Sequence, residues 1–275
     1  KHPSMAIVAK NLKANVIQNG MNINVSESLV VDNDSVNNGI IRVDGSSDVK
    51  GKFSGSGEYW LTGRGEEQKF GDLEGFSIFA AHGTGDITLG NLDSPSGILN
   101  IEWRYKKDYY NQLSDSVQAV IDNNPTYLYP DAYQYKYQEI IDLPYFTING
   151  DVNVGSFKAY AIGEVNGDIT TNGTITREMI YSGNYSTETP GSLHLGGSYD
   201  LGGITVNGNI KTSVLAVGHH QPHTIDLEKW KETPVGGLVV NGDVTADWLF
   251  VDNGSPTTSS YDNYGEYIKV TGTAH

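Results

Sequence analysis

Apolar and polar residues alternate along this chain in runs of only a few positions, each run closed by a turn. In "TVNGNIKTS", beginning at Thr205, valine and isoleucine flank an Asn-Gly pair. "VVNGDVTAD" at 239–247, "TINGDVNVG" from Thr147 and "EVNGDITTN" from Glu164 repeat the arrangement. Alternation of period two predicts short strands with one buried face. Asn-Gly predicts a tight turn, because both residues tolerate positive φ at little cost. The turn asparagines stand at 149, 166, 207 and 241, giving steps of 17, 41 and 34. The last step is twice the first, which reads as a repeat of about 17–20 residues with some copies degraded. "QNGMNINVS" at 18–26 and "GTGDITLGN" at 83–91 look like weaker copies. Short strands with one turn chemistry predict an all-β chain, a single-stranded parallel β-helix whose inward β-branched residues stack from repeat to repeat. A β-sandwich with Asn-Gly hairpins is the alternative.

Between Glu102 and Tyr145 the repeat is interrupted by a segment without Asn-Gly that holds nine of the seventeen tyrosines. Tyr109, Leu113, Val117 and Val120 recur at helical spacing, and Pro125 closes that run. "TYLYPDAYQYKYQEI" follows, with tyrosines alternating with polar residues. The expected structure is one domain over 1–275, with a partly helical, Tyr-rich flap inserted at 102–145. Loops inserted into a repeat scaffold commonly carry its binding function. If "YQYKY" is extended, Tyr133, Tyr135 and Tyr137 share one face at a spacing of roughly 6–7 Å. A row of rings suits the apolar faces of sugars, and each hydroxyl can reach a sugar edge. Trp103, Tyr105, Tyr127, Tyr129, Tyr133, Tyr135 and Tyr137 are therefore the candidate carbohydrate-binding residues. The competing role for each is to glue the flap to its scaffold. Outside the flap, Trp60 beside Tyr59 implies one ring in and one out. Trp230 among charges suits a surface platform, and Trp248 reads as core filling.

Composition narrows the partners. The formal net charge of −15 disfavours nucleic acid, which needs a basic face. No run of 18 apolar residues is present, so no membrane insertion is expected. With no cysteine, neither a disulfide nor a thiolate metal site is available. The chain does not begin with Met, and its opening "KHPSM" reads as an expression remnant, so a longer parent protein is expected.

Catalytic and metal signals are weak. Glycoside hydrolysis needs two carboxyl groups flanking the scissile bond. Asp142, Asp151, Asp168 and Asp243 are available, but the last three occupy the repeated turn, where Asp is expected to close that turn through its own backbone. A β-helix hydrolase motif would include His-Gly, found here only as His82–Gly83. A lyase would need a basic residue beside clustered acids, and none of Arg42, Arg64, Arg104 and Arg177 lies in such a cluster. His219, His220 and His223 could ligate zinc only if aimed at one point, and Pro222 sets a turn there. No cofactor is expected, although stacked turn aspartates would offer oxygens to a structural calcium.

The "VNGDV" and "VNGNI" repeats, the Tyr-rich insertion, the absence of cysteine and the acidic, Tyr- and Asn-rich composition together resemble the C-terminal domain of the tāpirins. That resemblance covers most of the chain and implies a parallel β-helix flanked by a long loop, without catalytic activity. It implies a cell-surface, extracellular adhesin of plant-biomass-degrading thermophilic bacteria that binds cellulose, with genes beside type IV pilus loci and hence a link to pili. The turns also resemble those of bactofilins, which are shorter and more regular, and of autotransporter passenger domains, which likewise mediate adhesion. An autotransporter-like passenger binding cell-surface partners and a β-helix lyase or hydrolase stand as the alternatives.

Overall fold

A computed structural model describes residues 6–63, 65–102, 104–105, 140–142, 145–182, 184–196, 203–217, 237–251 and 268–275. The chain is all-β, with a 23-stranded sheet whose strands pair in parallel and a separate two-stranded antiparallel pair. The one α-helix among the described residues is a single short piece, Arg177–Ser182. Consecutive strands of the large sheet do not pair with one another as hairpins would. Ile40–Val43 pairs with Glu58–Leu61, which pairs in turn with Ile78–His82. Between such partners the chain crosses three corners and the strands of two other ladders, so short elements satisfy the need for a long parallel crossover.

Three ladders result. In one, Phe53, Leu73, Leu92, Val152, Ile169, Ile210 and Val244 stand in register, all buried. In the second, Ile41, Tyr59, Phe79, Leu99, Phe157, Leu193 and Leu215 do the same. In the third, Leu89, Ile148, Val165, Val206 and Val240 stack immediately before the repeated turns. Period-two alternation sends these side chains to one shared core and their neighbours to the opposite face. Tyr59 is the inward ring and Trp60 the outward one, as their adjacency implied. Tyr59 meets Phe53, Phe70 and Phe79 at centroid distances of 5.7–5.9 Å. Two polar residues share the core because they satisfy each other: Ser47 Oγ donates to Gln68 Oε1 at 2.6 Å, and Gln68 Nε2 donates to the Gly45 carbonyl at 2.8 Å.

The repeated turns lie at one corner, and the geometry of the corners corrects four expectations. Each step between turn asparagines, whether 17, 41 or 34 residues, advances the chain by one layer only. Asn207 Nδ2 donates to Asn166 Oδ1 at 2.8 Å, and Asn241 Nδ2 to Asn207 Oδ1 at 2.9 Å. The extra residues fall in sequence between ladder strands, and strand register survives any insertion made outside the ladders. "QNGMNINVS" belongs to a different corner, where Asn19 Nδ2 donates to the buried Asn37 Oδ1 at 2.8 Å.

The turn acids do not close their own turns. Asp151 Oδ1 accepts the Asp168 N–H at 2.9 Å, Asp168 Oδ1 the Asn209 N–H at 2.7 Å, and Asn209 Oδ1 the Asp243 N–H at 2.9 Å. Each side chain therefore holds the next layer, and Asp and Asn serve alike because only an acceptor is needed. Nor do the turn glycines supply positive φ, which is confined to Gly55, Gly65, Gly75, Gly83, Gly173 and Gly191 among the described residues. A Cβ on Gly150 would stand 2.2 Å from Asn91 Oδ1, and one on Gly167 2.5 Å from Asp151 Oδ1. Glycine is required because the neighbouring layer comes too close for a side chain.

Candidate functional site

The outward face of the second ladder gathers a mixed aromatic and polar patch. Register places Arg42, Trp60, Ala80, Asn100, Lys158 and His194 in one row, and His82, Glu102 and Tyr160 in the next. Ala80 carries only a methyl group between Trp60 and Asn100. The Trp60 indole stacks on His82 with centroids 6.5 Å apart and donates Nε1–H to Glu58 Oε2 at 2.8 Å.

Lys158 forms an ion pair with Glu102, both side chains being about five-sixths covered at 16% and 15% exposure. Its ammonium also lies 5.4 Å from the centre of the Tyr160 ring. Removing either charge would strand the other in a poorly solvated place. Beyond this pair, the Tyr185 hydroxyl and His194 Nε2 share a hydrogen bond and the two rings stack 5.6 Å apart. Burial lowers the His194 pKa to about 4, with a smaller contribution from the Lys158 charge. Burial likewise pushes the Tyr185 hydroxyl well above its ordinary value. The pair is thus neutral across ordinary pH, which suits holding a position rather than transferring protons.

Two excursions border this patch. One leaves after Leu92–Glu102, directly beside the ion pair, and its neck is the antiparallel pairing of Arg104–Tyr105 with Ile140–Asp142. The other leaves after Ile169–Thr171 and returns at Ser192–Gly196. It carries the short helix Arg177–Ser182, on which Tyr181 is 74% exposed with the Arg177 guanidinium 5.2 Å from its ring centre. Trp248, expected in the core, is instead half-buried on the outward side and donates Nε1–H to the Ile175 carbonyl at 3.2 Å, pinning this excursion. The register of Val214 with Trp248 explains the difference, because the preceding pair, Ser192 with Val214, also lies on an outward row that the excursion covers.

Of the candidate binding residues, Tyr105 is placed by its backbone in the neck, opposite Ile140. Trp103, Tyr127, Tyr129, Tyr133, Tyr135 and Tyr137 lie outside the described residues, as do the helical run of Tyr109, Leu113, Val117 and Val120, Trp230 and the three histidines at 219, 220 and 223. The structure adds Tyr181 and Tyr145, 74% and 43% exposed, as solvent-facing rings that their local sequence did not single out. Lys158 and Tyr160 were legible only as outward positions of "SFKAY", since nothing local pairs them with Glu102.

Among the described residues no group of three or more His, Asp or Glu side chains gathers to hold a metal. The Oδ1 atoms of Asp151, Asp168 and Asp243 each accept a backbone N–H from the next layer, so one oxygen of each carboxylate is engaged in the ladder. No helix among the described residues is long and apolar enough to cross a membrane. Comparison with protein-family models, with curated proteins and with solved structures finds no match.

Proposed function

We propose that the chain is a single-stranded parallel β-helix acting as a non-catalytic, extracellular, cell-surface adhesin for insoluble plant polysaccharide, cellulose first. The observation that carries this reading is the neck: the Tyr-rich segment leaves and rejoins the wall through paired strands, beside the patch of Trp60, His82, Lys158 and Tyr160. A wall held by three hydrogen-bonded ladders is a rigid mount for such a segment. Exposed rings stack on a glucan face, each contributing modestly, and many copies on one cell add avidity. The neutral Tyr185–His194 pair and the ion-paired Glu102 and Lys158 support recognition over catalysis. Association with type IV pili and a thermophilic source follow from the resemblance to tāpirins alone.

The test is depletion of the purified chain from solution by microcrystalline cellulose, xylan and pectin, with Tyr133, Tyr135 and Tyr137 changed together to Ala as the control. Loss on cellulose that the triple variant abolishes supports the reading. Equal binding by the variant removes the tyrosine row from the mechanism. No depletion by any of the three overturns the adhesin reading in favour of an autotransporter-like protein-binding module. Release of reducing ends or unsaturated products would mark an enzyme.

A further inference from the structure

Two buried polar atoms on the outward face of the second ladder have no hydrogen-bond partner: Asn100 Oδ1 and Ser156 Oγ. Asn100 is 7% exposed and Ser156 1%, so bulk water does not satisfy them. Buried polar atoms nearly always have partners, which implies that something polar occupies this place. Its surroundings say what. Ser192 Oγ donates to the carbonyls of Thr187 at 2.9 Å and Thr189 at 2.7 Å, which fixes the backbone on both sides of Glu188. From there Glu188 reaches back to Asn100, whose Nδ2 lies 3.4 Å from Glu188 Oε1. In register, His194 neighbours Lys158 and Lys158 neighbours Asn100, so Glu188 reaches from the 192–196 strand to the Asn100 strand. The strand it crosses is the one that holds Ser156.

The amide oxygen and the carboxylate are acceptors only, and the Ser156 hydroxyl, one row from Asn100 on the adjacent strand, has lone pairs to offer beside them. Among the described residues no lysine or arginine pairs with Glu188, and the nearby Lys158 is committed to Glu102. Three oxygens, one of them charged and without a cation, describe a hard-ion site.

We propose that Asn100 Oδ1, Ser156 Oγ and the Glu188 carboxylate bind a divalent cation, calcium before magnesium, which clamps the 172–191 excursion onto the sheet. Calcium accepts irregular oxygen shells completed by water, whereas magnesium demands an octahedron and gives up its waters reluctantly. With a single carboxylate, the affinity belongs in the range of extracellular modules, a dissociation constant of about 10⁻⁴–10⁻³ M. The proposal stands independently of the polysaccharide reading.

The experiment is calorimetric titration of the whole chain with calcium chloride and with magnesium chloride. Tryptic cleavage after Arg177, on the exposed part of the excursion, is followed alongside. The expected result is one calcium site, weaker magnesium binding, a rise in melting temperature with calcium, and calcium-dependent protection of Arg177. Glu188→Gln, at an exposed position, should weaken calcium binding at least tenfold while leaving the melting temperature without calcium unchanged. Ser156→Ala should weaken binding less and remove one of the orphaned atoms. Absence of heat and of protection at calcium well above that range means a water fills the place and overturns the proposal. Binding that Glu188→Gln leaves intact overturns it equally.

Discussion

Replacing Asp168 with alanine tests the ladder of turn acids directly. Asp168 Oδ1 accepts two hydrogen bonds from the next layer, from the Asn209 N–H at 2.7 Å and from Asn209 Nδ2 at 3.1 Å. A hydrogen bond to a charged acceptor contributes roughly 1.5–3 kcal/mol when its loss leaves a partner unsatisfied. The corner is exposed, so water can take over part of the role, and the expected loss falls to about 1–2 kcal/mol. For a chain of this size that is a fall of several degrees in melting temperature. Asp168→Asn keeps the acceptor and should stay within about 0.5 kcal/mol of the parent, as Asn209 already does this work in the next layer. Amide hydrogen exchange locates the effect. In the alanine variant the Asn209 amide should exchange about tenfold faster, the factor that corresponds to about 1.4 kcal/mol. An acid that closed its own turn would instead free the amides at Ile169 or Thr170. Faster exchange there with Asn209 unchanged would refute the inter-layer account.

The glycines give a second contrast. Gly150→Ala places a Cβ against Asn91 Oδ1 and should destabilise by about 1–3 kcal/mol. Gly20→Ala, with nothing within 4 Å, should change the denaturant midpoint little. The His194 pair predicts a pH dependence. Its folded pKa, about 4, lies below the ordinary 6.5, so the unfolded chain takes up a proton first as pH falls. Stability should therefore decline from about pH 6.5 to pH 4, by no more than roughly 3 kcal/mol from this residue. Denaturant midpoints of the parent and of His194→Gln across that window should converge at the acid end, and parallel curves would contradict the assignment.

Much of the wall was legible because alternation and turn chemistry are local. Leu89, Ile148, Val165, Val206 and Val240 each precede a repeated turn, and a strand of period two must send them to the same side. The spacing of the layers was not legible. Steps of 17, 41 and 34 residues are structurally equivalent because an excursion that leaves and returns at a corner does not disturb the ladder. No local pattern separates a degraded repeat from an inserted loop. The tyrosine-rich segment declared itself by composition, whereas Lys158, Glu102 and His194 are ordinary residues locally and acquire meaning only side by side.

By itself, the sequence determined that the chain forms short strands with one buried face, that its turns share one chemistry, and that one segment departs from both. Tertiary structure alone decided what those turns do. An Asp-to-backbone bond reaching into the next layer, or a glycine required by a neighbour tens of residues away, depends on which segments stack. Stacking is set by the sum of many inward side chains meeting in one core, a cooperative quantity that no single nine-residue stretch contains.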